Sequence, residues 1–195
     1  MQTKRPHNKT GQPQIMDIRQ LGREVVYTGK IFDLIVDQVE YPSGNRSVRE
    51  IAHHPGGAVV VPVLDDGSVM MVKQLRYPLG KYLLELPAGK LNKQEDPLLA
   101  ANRELEEETG WVAGEMVKLA SFYTTPGFCD EELHVYLGKS LSRSPAGTRR
   151  EEGELSMTIE TVPFDQAVQM AVNGELKDGK TIIGLLLAER YMRKQ

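Results

Sequence analysis

The sequence has few of the features that mark secreted, membrane or polynucleotide-binding proteins. Its 195 residues include one cysteine, Cys129, which excludes an internal disulfide and favours a reducing compartment. No apolar run approaches the ~20 residues that a membrane-spanning helix needs, and no apolar leader follows the first basic residues. The net charge of −3, with Lys and Arg spread along the chain, gives no basic track for a polynucleotide. We therefore expect a soluble, cytoplasmic protein that binds neither membranes nor nucleic acid, while a small phosphorylated ligand stays compatible with this charge.

Apolar patterns divide the chain into three parts. Residues 1–15 are rich in Pro, Lys, Asn and Gln, which is typical of a mobile tail. Residues 16–57 carry alternating or β-branched apolar residues around a PSGN turn and predict an N-terminal antiparallel β region. Residues 58–195 form the predicted main domain.

Strands outnumber helices in the main domain, and the two do not alternate regularly. The predicted strands are GGAVVVPVL and SVMMVKQLRY joined by an Asp65-Asp66-Gly67 turn, LLELPAG running into a glycine-terminated loop, and residues near 114–123, 132–137 and 156–162. The predicted helices cover 97 to about 108, 164 to about 172, and 181–192. This order favours an α+β fold with a mixed sheet over a doubly wound fold.

The first of these helices has strong local start and stop signals. Asp96 is a candidate N-cap, and Pro97 stands at the first helical position, where its missing N–H costs little. Gly110 supplies the C-terminal stop. Between them, four of the five residues from 104 to 108 are glutamates, and like charges crowded on one helix repel.

A spacing of about 100° per residue assigns these glutamates to different sides of the helix. The predicted buried stripe consists of Leu98, Ala101 and Leu105. Glu104 and Glu108 then lie on the shoulder of that stripe, one turn apart. Glu107 lies beside them towards solvent, whereas Glu106 points away.

Two interpretations of this acidic stretch follow. It can be a solvated helix face, or it can be a metal site in which convergent carboxylates raise each other's pKa until a divalent cation offsets the repulsion. Oxygen-rich sites of this type suit Mg²⁺ or Mn²⁺. An open carboxylate site that leaves room for substrate phosphates is what a phosphate-processing enzyme requires.

The surrounding sequence favours the metal site. From Gly89 the chain reads GKLNKQEDPLLAANRELEEETGW: Gly89, five residues, Glu95, seven residues, and then the run Arg103 to Gly110. This resembles the Nudix box of the Nudix hydrolases at every fixed polar and glycine position. The one departure is Trp111, where the pattern has a bulky aliphatic residue and an aromatic side chain can fill the same space.

The resemblance implies a loop–helix–loop motif on an α/β/α sandwich and cleavage of a nucleoside diphosphate linked to another group. The metal ligands that it implies are Glu104, Glu107, Glu108 and the backbone carbonyl of Ala88. Arg103 is expected to orient the carboxylates by ion pairing, and Glu95 to brace the loop. Glu108 is also expected to take part in catalysis through the metal.

The flanking segments resemble the ADP-ribose pyrophosphatase branch over roughly residues 23–189. That branch implies hydrolysis of ADP-ribose to AMP and ribose 5-phosphate by a homodimer with swapped N-terminal strands. The substrate contacts that it implies are Arg49, Arg76, Glu85, Glu131 and, for stacking on the base, Phe32. Each single Arg or Phe can equally be a structural ion pair or a core residue.

Catalysis also needs a base to activate the attacking water. The family draws this glutamate from a loop beyond the box, which here is RREEGELSM with Glu151, Glu152 and Glu154 available. We choose Glu154 first and Glu152 second. Two other functions remain open: a nucleotide-sugar pyrophosphatase that prefers GDP-mannose or a similar compound, and a non-catalytic Nudix-fold binding module. The second is disfavoured because no box glutamate is missing.

Overall fold

A computed structural model describes residues 17–150 and 152–195. The chain forms two compact units, the first containing residues up to His54 together with Thr125–Asp130, and the second containing Pro55–Thr124 and Glu131–Gln195. The predicted tail at 1–15 lies outside the described residues. The division at residue 57 into a dimerisation region and a hydrolase domain stays a prediction.

The first unit is built on an antiparallel sheet of three strands in the order β1-β2-β3. These strands are β1 (Arg19–Thr28), β2 (Asp33–Glu40) and β3 (Arg46–His53). Only the middle strand has alternate residues buried, among them Ile35 and Val39. Asp37 on the same face is held by the guanidinium of Arg23, whose two nitrogens each lie 2.7 Å from a carboxylate oxygen and lower the pKa of this acid.

The second unit contains two further sheets. Its strands are β4 (Gly57–Pro62), β5 (Ser68–Arg76), β6 (Lys81–Glu85), β7 (Ala88–Lys90), β8 (Trp111–Tyr123), β9 (Glu132–Arg143) and β10 (Thr158–Pro163). One sheet has the order β7-β4-β9-β8, in which β4 and β9 are parallel and the other pairs are antiparallel. The other is antiparallel, in the order β10-β5-β6. The predicted mixed sheet is therefore confirmed.

Two local predictions about these strands need correction. The turn at residues 65–67 is present, closed by a 2.8 Å bond from Leu64 N to Ser68 O, but β4 and β5 then diverge into different sheets. Val63, just after β4, forms an isolated bridge with Val69 of β5. The glycine-terminated loop predicted after LLELP is wrong as well, because Gly89 lies within strand β7.

The helices are α1 (Pro97–Thr109), α2 (Phe164–Val172) and α3 (Gly179–Met192). The predicted N-cap of α1 is confirmed, since the Asp96 carboxylate accepts the Leu98 N–H at 2.8 Å, and Gly110 ends the helix with a φ of 72°. Helix α3 begins two residues before its predicted start, because Asp178 caps the Thr181 N–H. None of the helices in these described ranges is long and apolar enough to cross a membrane.

Strand β4 separates two apolar cores. Its alternate residues Ala58 and Val60 face the core shared with α1, whereas Val59 and Val61 face the larger core shared with α2 and α3. Side chains of successive strand residues point to opposite faces, so one strand can serve both cores. Helices on both faces of this sheet give the α/β/α sandwich that the sequence predicted.

Candidate active site

Helix α1 buries a wider face than the predicted stripe, of which Ala101 and Leu105 are confirmed. Leu98 is 39% exposed, so its assignment to the buried stripe is wrong. The buried residues of the helix are Ala100, Ala101, Glu104, Leu105, Glu108 and Thr109. Glu104 and Glu108 are only 9% and 2% exposed, and thus lie inside the packed face and not on its shoulder.

Gly89 explains how two acidic side chains fit beneath the helix. A Cβ atom at this position would lie 2.0 Å from the carboxyl carbon of Glu104, well below any tolerated contact. The Glu104 carboxylate therefore rests directly against the backbone of β7. In the same strand, the Ala88 N–H donates to the Glu108 carboxylate at 3.2 Å.

Arg103 connects most of the acidic residues of the motif. Its guanidinium donates to both oxygens of Glu95, at 2.8 and 2.9 Å, to Glu104 at 2.6 Å and to Glu107 at 3.0 Å. It also donates to the carbonyl of Lys90 at 3.1 Å. The Arg103 contact lowers the pKa of Glu95 to about 2, so this carboxylate stays charged and fixes the arginine beside the other two. Arg103 therefore ties the loop before α1 to the acidic face of the helix.

Burial and neighbouring negative charge disfavour the charged forms of Glu104 and Glu108. Desolvation, followed by the charges of Glu104 and Glu154, raises the pKa of Glu108 to about 8. Burial also raises the pKa of Glu104, against the opposing effect of Arg103, and Glu107 and Glu154 raise it further. The charge of Glu154, in the loop beyond β9, therefore reaches both buried glutamates.

These features fit a hard divalent cation. The donors are all oxygen atoms, the carboxylates repel one another in a buried setting, and the absent side chain of Gly89 leaves them against the β7 backbone. Across residues 17–150 and 152–195, no group of three or more Asp, Glu, His or Cys side chains is already arranged to hold a metal ion. Arg103 pairs with both Glu104 and Glu107, and its positive charge offsets part of the repulsion that a bound cation would otherwise offset.

A second charged network lies at the N-terminus of α3. Glu85 is fully buried, and its carboxylate accepts Arg76 Nε at 2.7 Å, Arg76 Nη2 at 2.5 Å and the Lys180 ammonium. Lys180 also pairs with Asp178 at 2.9 Å. A substrate contact through Glu85 would compete with these bonds, so the carboxylate is primarily the support of Arg76, which is 40% exposed.

Thr181 joins this network to Leu86, which lies between β6 and β7. Its hydroxyl donates to Asp178 at 2.6 Å and accepts the Leu86 N–H at 2.8 Å. The sequence predicted no role for the residues of the segment GELKDGKTI. The Asp178-x-x-Thr181 spacing is a helix N-cap pattern and was the available signal.

The other predicted substrate residues are distributed over both units. Phe32 and Arg49 belong to the first unit, where Phe32 is 42% exposed and the Arg49 guanidinium lies 5.5 Å from the centre of the Tyr41 ring. Glu131 belongs to the second unit and accepts the Thr124 hydroxyl at 2.8 Å. Their roles in substrate binding stay predictions.

Glu106, which was predicted to point away from the other glutamates, has hydrogen-bond partners of its own. Its carboxylate accepts the Ser144 hydroxyl at 2.5 Å and Arg149 Nη2 at 3.1 Å. Both partners lie in the long segment between β9 and β10. The fourth glutamate therefore fastens this segment to the helix that carries the other three.

Comparison with known proteins agrees with this geometry. The NUDIX domain profile matches residues 53–182. The chain is 42% identical over 166 residues to the ADP-ribose pyrophosphatase of Bacillus subtilis (strain 168), covering 85% of this chain and 89% of that protein. It is 40% identical over 182 residues to the methanol dehydrogenase activator of Bacillus methanolicus, covering 93% and 96%.

More distant matches extend the comparison. The GDP-mannose pyrophosphatase of Shigella flexneri is 31% identical over 147 residues, which cover 71% of this chain and 75% of that protein. A crystal structure of an ADP compounds hydrolase superposes with a TM-score of 0.79 at 18% identity, covering 91% of this chain and 95% of the other, and this likeness supports the fold. Members of this family generally depend on a divalent metal. The chain belongs to the NUDIX family and is a Nudix hydrolase of the ADP-ribose and nucleotide-sugar pyrophosphatase branch.

Proposed function

We propose that the protein hydrolyses ADP-ribose to AMP and ribose 5-phosphate in a Mg²⁺-dependent reaction. The observation that carries this proposal is the cluster of strained carboxylates, in which Glu104 and Glu108 lie buried against β7 with Glu154 acting on both. The choice of ADP-ribose is supported by the similarity to an ADP-ribose pyrophosphatase over 85% of the chain.

The groups that would hold the cation are the carboxylates of Glu104, Glu107 and Glu108 and the carbonyl of Ala88. When bound, Mg²⁺ or Mn²⁺ offsets negative charge on the diphosphate oxygens and lowers the pKa of a coordinated water. Arg103 contributes by holding Glu104 and Glu107 together, at 2.6 and 3.0 Å, on the side facing the loop. Glu95 fixes Arg103 in turn and does not itself need to touch the substrate.

Glu154 is the proposed base, with Glu152 as second choice. Water attacks one phosphorus of the diphosphate, the bond from that phosphorus to the bridging oxygen breaks, and the carboxylate accepts the proton released by the water. Glu154 is favoured because its charge acts on both Glu104 and Glu108. In this role the Glu154 carboxylate would accept the proton of a water held beside Glu104 and Glu108.

Arg76 is the proposed phosphate contact in the second unit. Its guanidinium is held in place by Glu85 and still has an exposed edge, so it can meet an anionic group without losing its support. It borders a cavity of about 340 Å³ that is also lined by Leu79, Leu83 and Lys177. Arg49, Phe32, Glu85 and Glu131 remain candidate contacts.

A product assay tests the reaction directly. Purified protein is incubated with ADP-ribose or GDP-mannose and Mg²⁺, and nucleotide products are separated by ion-exchange chromatography. We expect AMP from ADP-ribose, no product after addition of EDTA, and a fall in kcat of about 10² or more for Glu154→Gln, since a general base contributes on the order of 10²–10⁴. Glu115→Gln, an exposed carboxylate paired with Lys139, is the control.

One specific result would replace this substrate by the alternative. Fast release of GMP from GDP-mannose with negligible AMP from ADP-ribose would favour the nucleotide-sugar activity, which the 31% identity to a GDP-mannose pyrophosphatase supports. If neither substrate is cleaved, the non-catalytic binding module becomes the better interpretation.

The proposed assembly is a homodimer with swapped N-terminal strands in the cytoplasm. It is supported by the family resemblance and by apolar side chains on β1 that are more than half exposed, namely Val25, Val26 and Tyr27. Light scattering coupled to size exclusion should give about twice the chain mass of 21.8 kDa. A monomeric mass at working concentrations would contradict this assembly.

A further inference from the structure

Arg150 connects the end of helix α1 to the far end of the loop that carries Glu154. Its guanidinium donates from Nε and Nη2 to the carbonyl oxygen of Glu108, at 2.9 and 2.8 Å, and from Nη1 to the carbonyl oxygen of Met157 at 2.6 Å. The Glu108 carbonyl belongs to the last turn of α1, where carbonyls lack helical partners and a cation is favoured. One side chain thus satisfies a backbone carbonyl of the helix and another at the far end of the loop.

The segment from Arg150 to Met157 is short. Residues 152–154 form a single 3₁₀ turn, and the N–H groups of Leu155 and Met157 donate to the carbonyls of Glu152 and Glu154, at 3.4 and 2.8 Å. Met157 is 3% exposed and fixes the far end in the interior. Arg150 fixes the near end, so Glu154 is held between two anchored points.

The chain before Arg150 is fastened to the same helix. The Arg149 N–H donates to the Glu107 carbonyl at 2.9 Å, and its side chain pairs with Glu106. The Ser144 N–H donates to the Gly110 carbonyl at 2.9 Å. The loop therefore follows the C-terminal end of α1 closely before it turns at Arg150.

We propose that Arg150 is a positioning residue for the hydrolytic reaction, which holds the Glu154 loop against the C-terminal end of α1. This inference rests on the proposed role of Glu154. Arg150 contacts backbone carbonyls and acts through the placement of Glu154, so its loss lowers kcat while KM and metal affinity stay close to their original values.

The shape of the guanidinium matters in this arrangement. Three donors in a rigid plane reach two carbonyls on different parts of the chain, whereas a lysine ammonium is a compact charge on a flexible stem. Arg150→Lys should therefore recover little of the activity lost in Arg150→Met. A requirement for charge alone would instead give nearly full recovery by lysine.

The first test measures the loop without any substrate. Hydrogen exchange of the Leu155 and Met157 amides is followed by mass spectrometry in the wild type, in Arg150→Met and in the control Arg143→Met. Arg143 stacks on Trp111, 4.6 Å from the ring centre, outside this loop. We expect exchange at 155–157 to accelerate by about tenfold or more in Arg150→Met alone, because these hydrogen bonds lose one anchor. Unchanged exchange would overturn the proposal.

The second test is a double-mutant cycle with Glu154→Gln. We expect Arg150→Met to lower kcat by about tenfold or more in the wild type but by less than about twofold when Glu154 is already replaced, since residues that act as one unit are not additive. Equal losses in both backgrounds would overturn the proposal. Mn²⁺ titration followed by electron paramagnetic resonance should give unchanged affinity for Arg150→Met, and a large loss would assign Arg150 to the metal site instead.

These measurements separate two kinds of failure. The exchange experiment reports on the loop whether or not ADP-ribose is the substrate. Absence of AMP from the wild-type enzyme would refute the proposed substrate, and the cycle would then be measured with the nucleotide sugar that is cleaved.

Discussion

Replacing Glu108 by Gln should make the metal-free protein more stable at alkaline pH while abolishing hydrolysis. Glu108 is 2% exposed, and burial with neighbouring negative charge raises its pKa from 4.5 to about 8. Glutamine keeps an oxygen that can accept the Ala88 N–H but carries no charge. The substitution therefore removes an unfavourable buried charge without emptying its site.

The sign and size of this pH-dependent stability difference follow from the linkage between proton binding and folding. A carboxyl group whose folded-state pKa lies above its unfolded-state pKa binds protons more tightly when folded, so it destabilises the fold progressively as pH rises from 4.5 to about 8. Each unit of difference between the two pKa values corresponds to about 1.4 kcal/mol, so the ionised Glu108 lowers the free energy of unfolding by about 4–5 kcal/mol above pH 8. The stability gained in Glu108→Gln should therefore be about 4 kcal/mol larger at pH 9 than at pH 5.

Urea denaturation followed by circular dichroism at both pH values, in metal-free buffer, measures this difference. Glu115→Gln is the matched control, because its carboxylate is exposed and should give a nearly constant effect. Adding Mg²⁺ should stabilise the wild type and leave Glu108→Gln unchanged. If the two proteins differ by the same free energy at pH 5 and pH 9, Glu108 is not a strained buried carboxyl and the electrostatic account of the site is wrong.

Substitutions at three further positions test other parts of the structure. Gly89→Ala should displace the Glu104 carboxyl group, whose carbon lies 2.0 Å from the position of the new Cβ. Mn²⁺ affinity, measured by titration, and kcat, measured by AMP release, should both fall by about 10-fold or more. Activity equal to that of the wild type would contradict the close packing. Glu85→Gln should lower the free energy of unfolding, measured by urea denaturation, by about 3–5 kcal/mol, because Arg76 and Lys180 lose a fully buried charged partner. A change below about 1 kcal/mol would refute this expectation. Thr181→Val should lower the free energy of unfolding by about 1–3 kcal/mol, and Thr181→Ser, which keeps the hydroxyl, should lower it much less. Equal losses in both variants would show that the hydroxyl hydrogen bonds do not provide this stability.

The parts of the fold that depend on local chemistry could be predicted from the sequence. The ends of α1 follow from Asp96, Pro97 and Gly110, whose conformational preferences act within one turn. Helix α2 was predicted with its observed bounds, 164–172, although no side chain caps its first turn. The motif from Gly89 to Gly110 identified the family without any tertiary information.

The features that were missed depend on distant parts of the chain. Strand β4 pairs with β9, more than 70 residues later, so the turn at 65–67 does not reveal that β4 and β5 belong to different sheets. Helical periodicity alone placed Leu98 in the core, but contact with the sheet selected the face of Ala100, Glu104 and Glu108. Apolar residues define a buried face only when the packing partner is known.

The supporting role of Arg150 could not be recognised from composition. It follows Arg149 in a polar loop, and two adjacent arginines there suggest a solvated surface. Its function depends on backbone carbonyls, which carry no sequence signal. Only the folded chain shows that Glu108 and Met157 present their carbonyls to the same guanidinium.

The alanines between α1 and β4 have a consequence for how this enzyme can diversify. Ala58, Ala100 and Ala101 are completely buried, and their small side chains set the distance between the helix and the sheet. That distance helps to set the depth at which Glu104 and Glu108 lie beneath the helix. Variants that keep both glutamates in place should therefore keep these three side chains small, whereas enlarging one of the three alanines would shift both glutamates together.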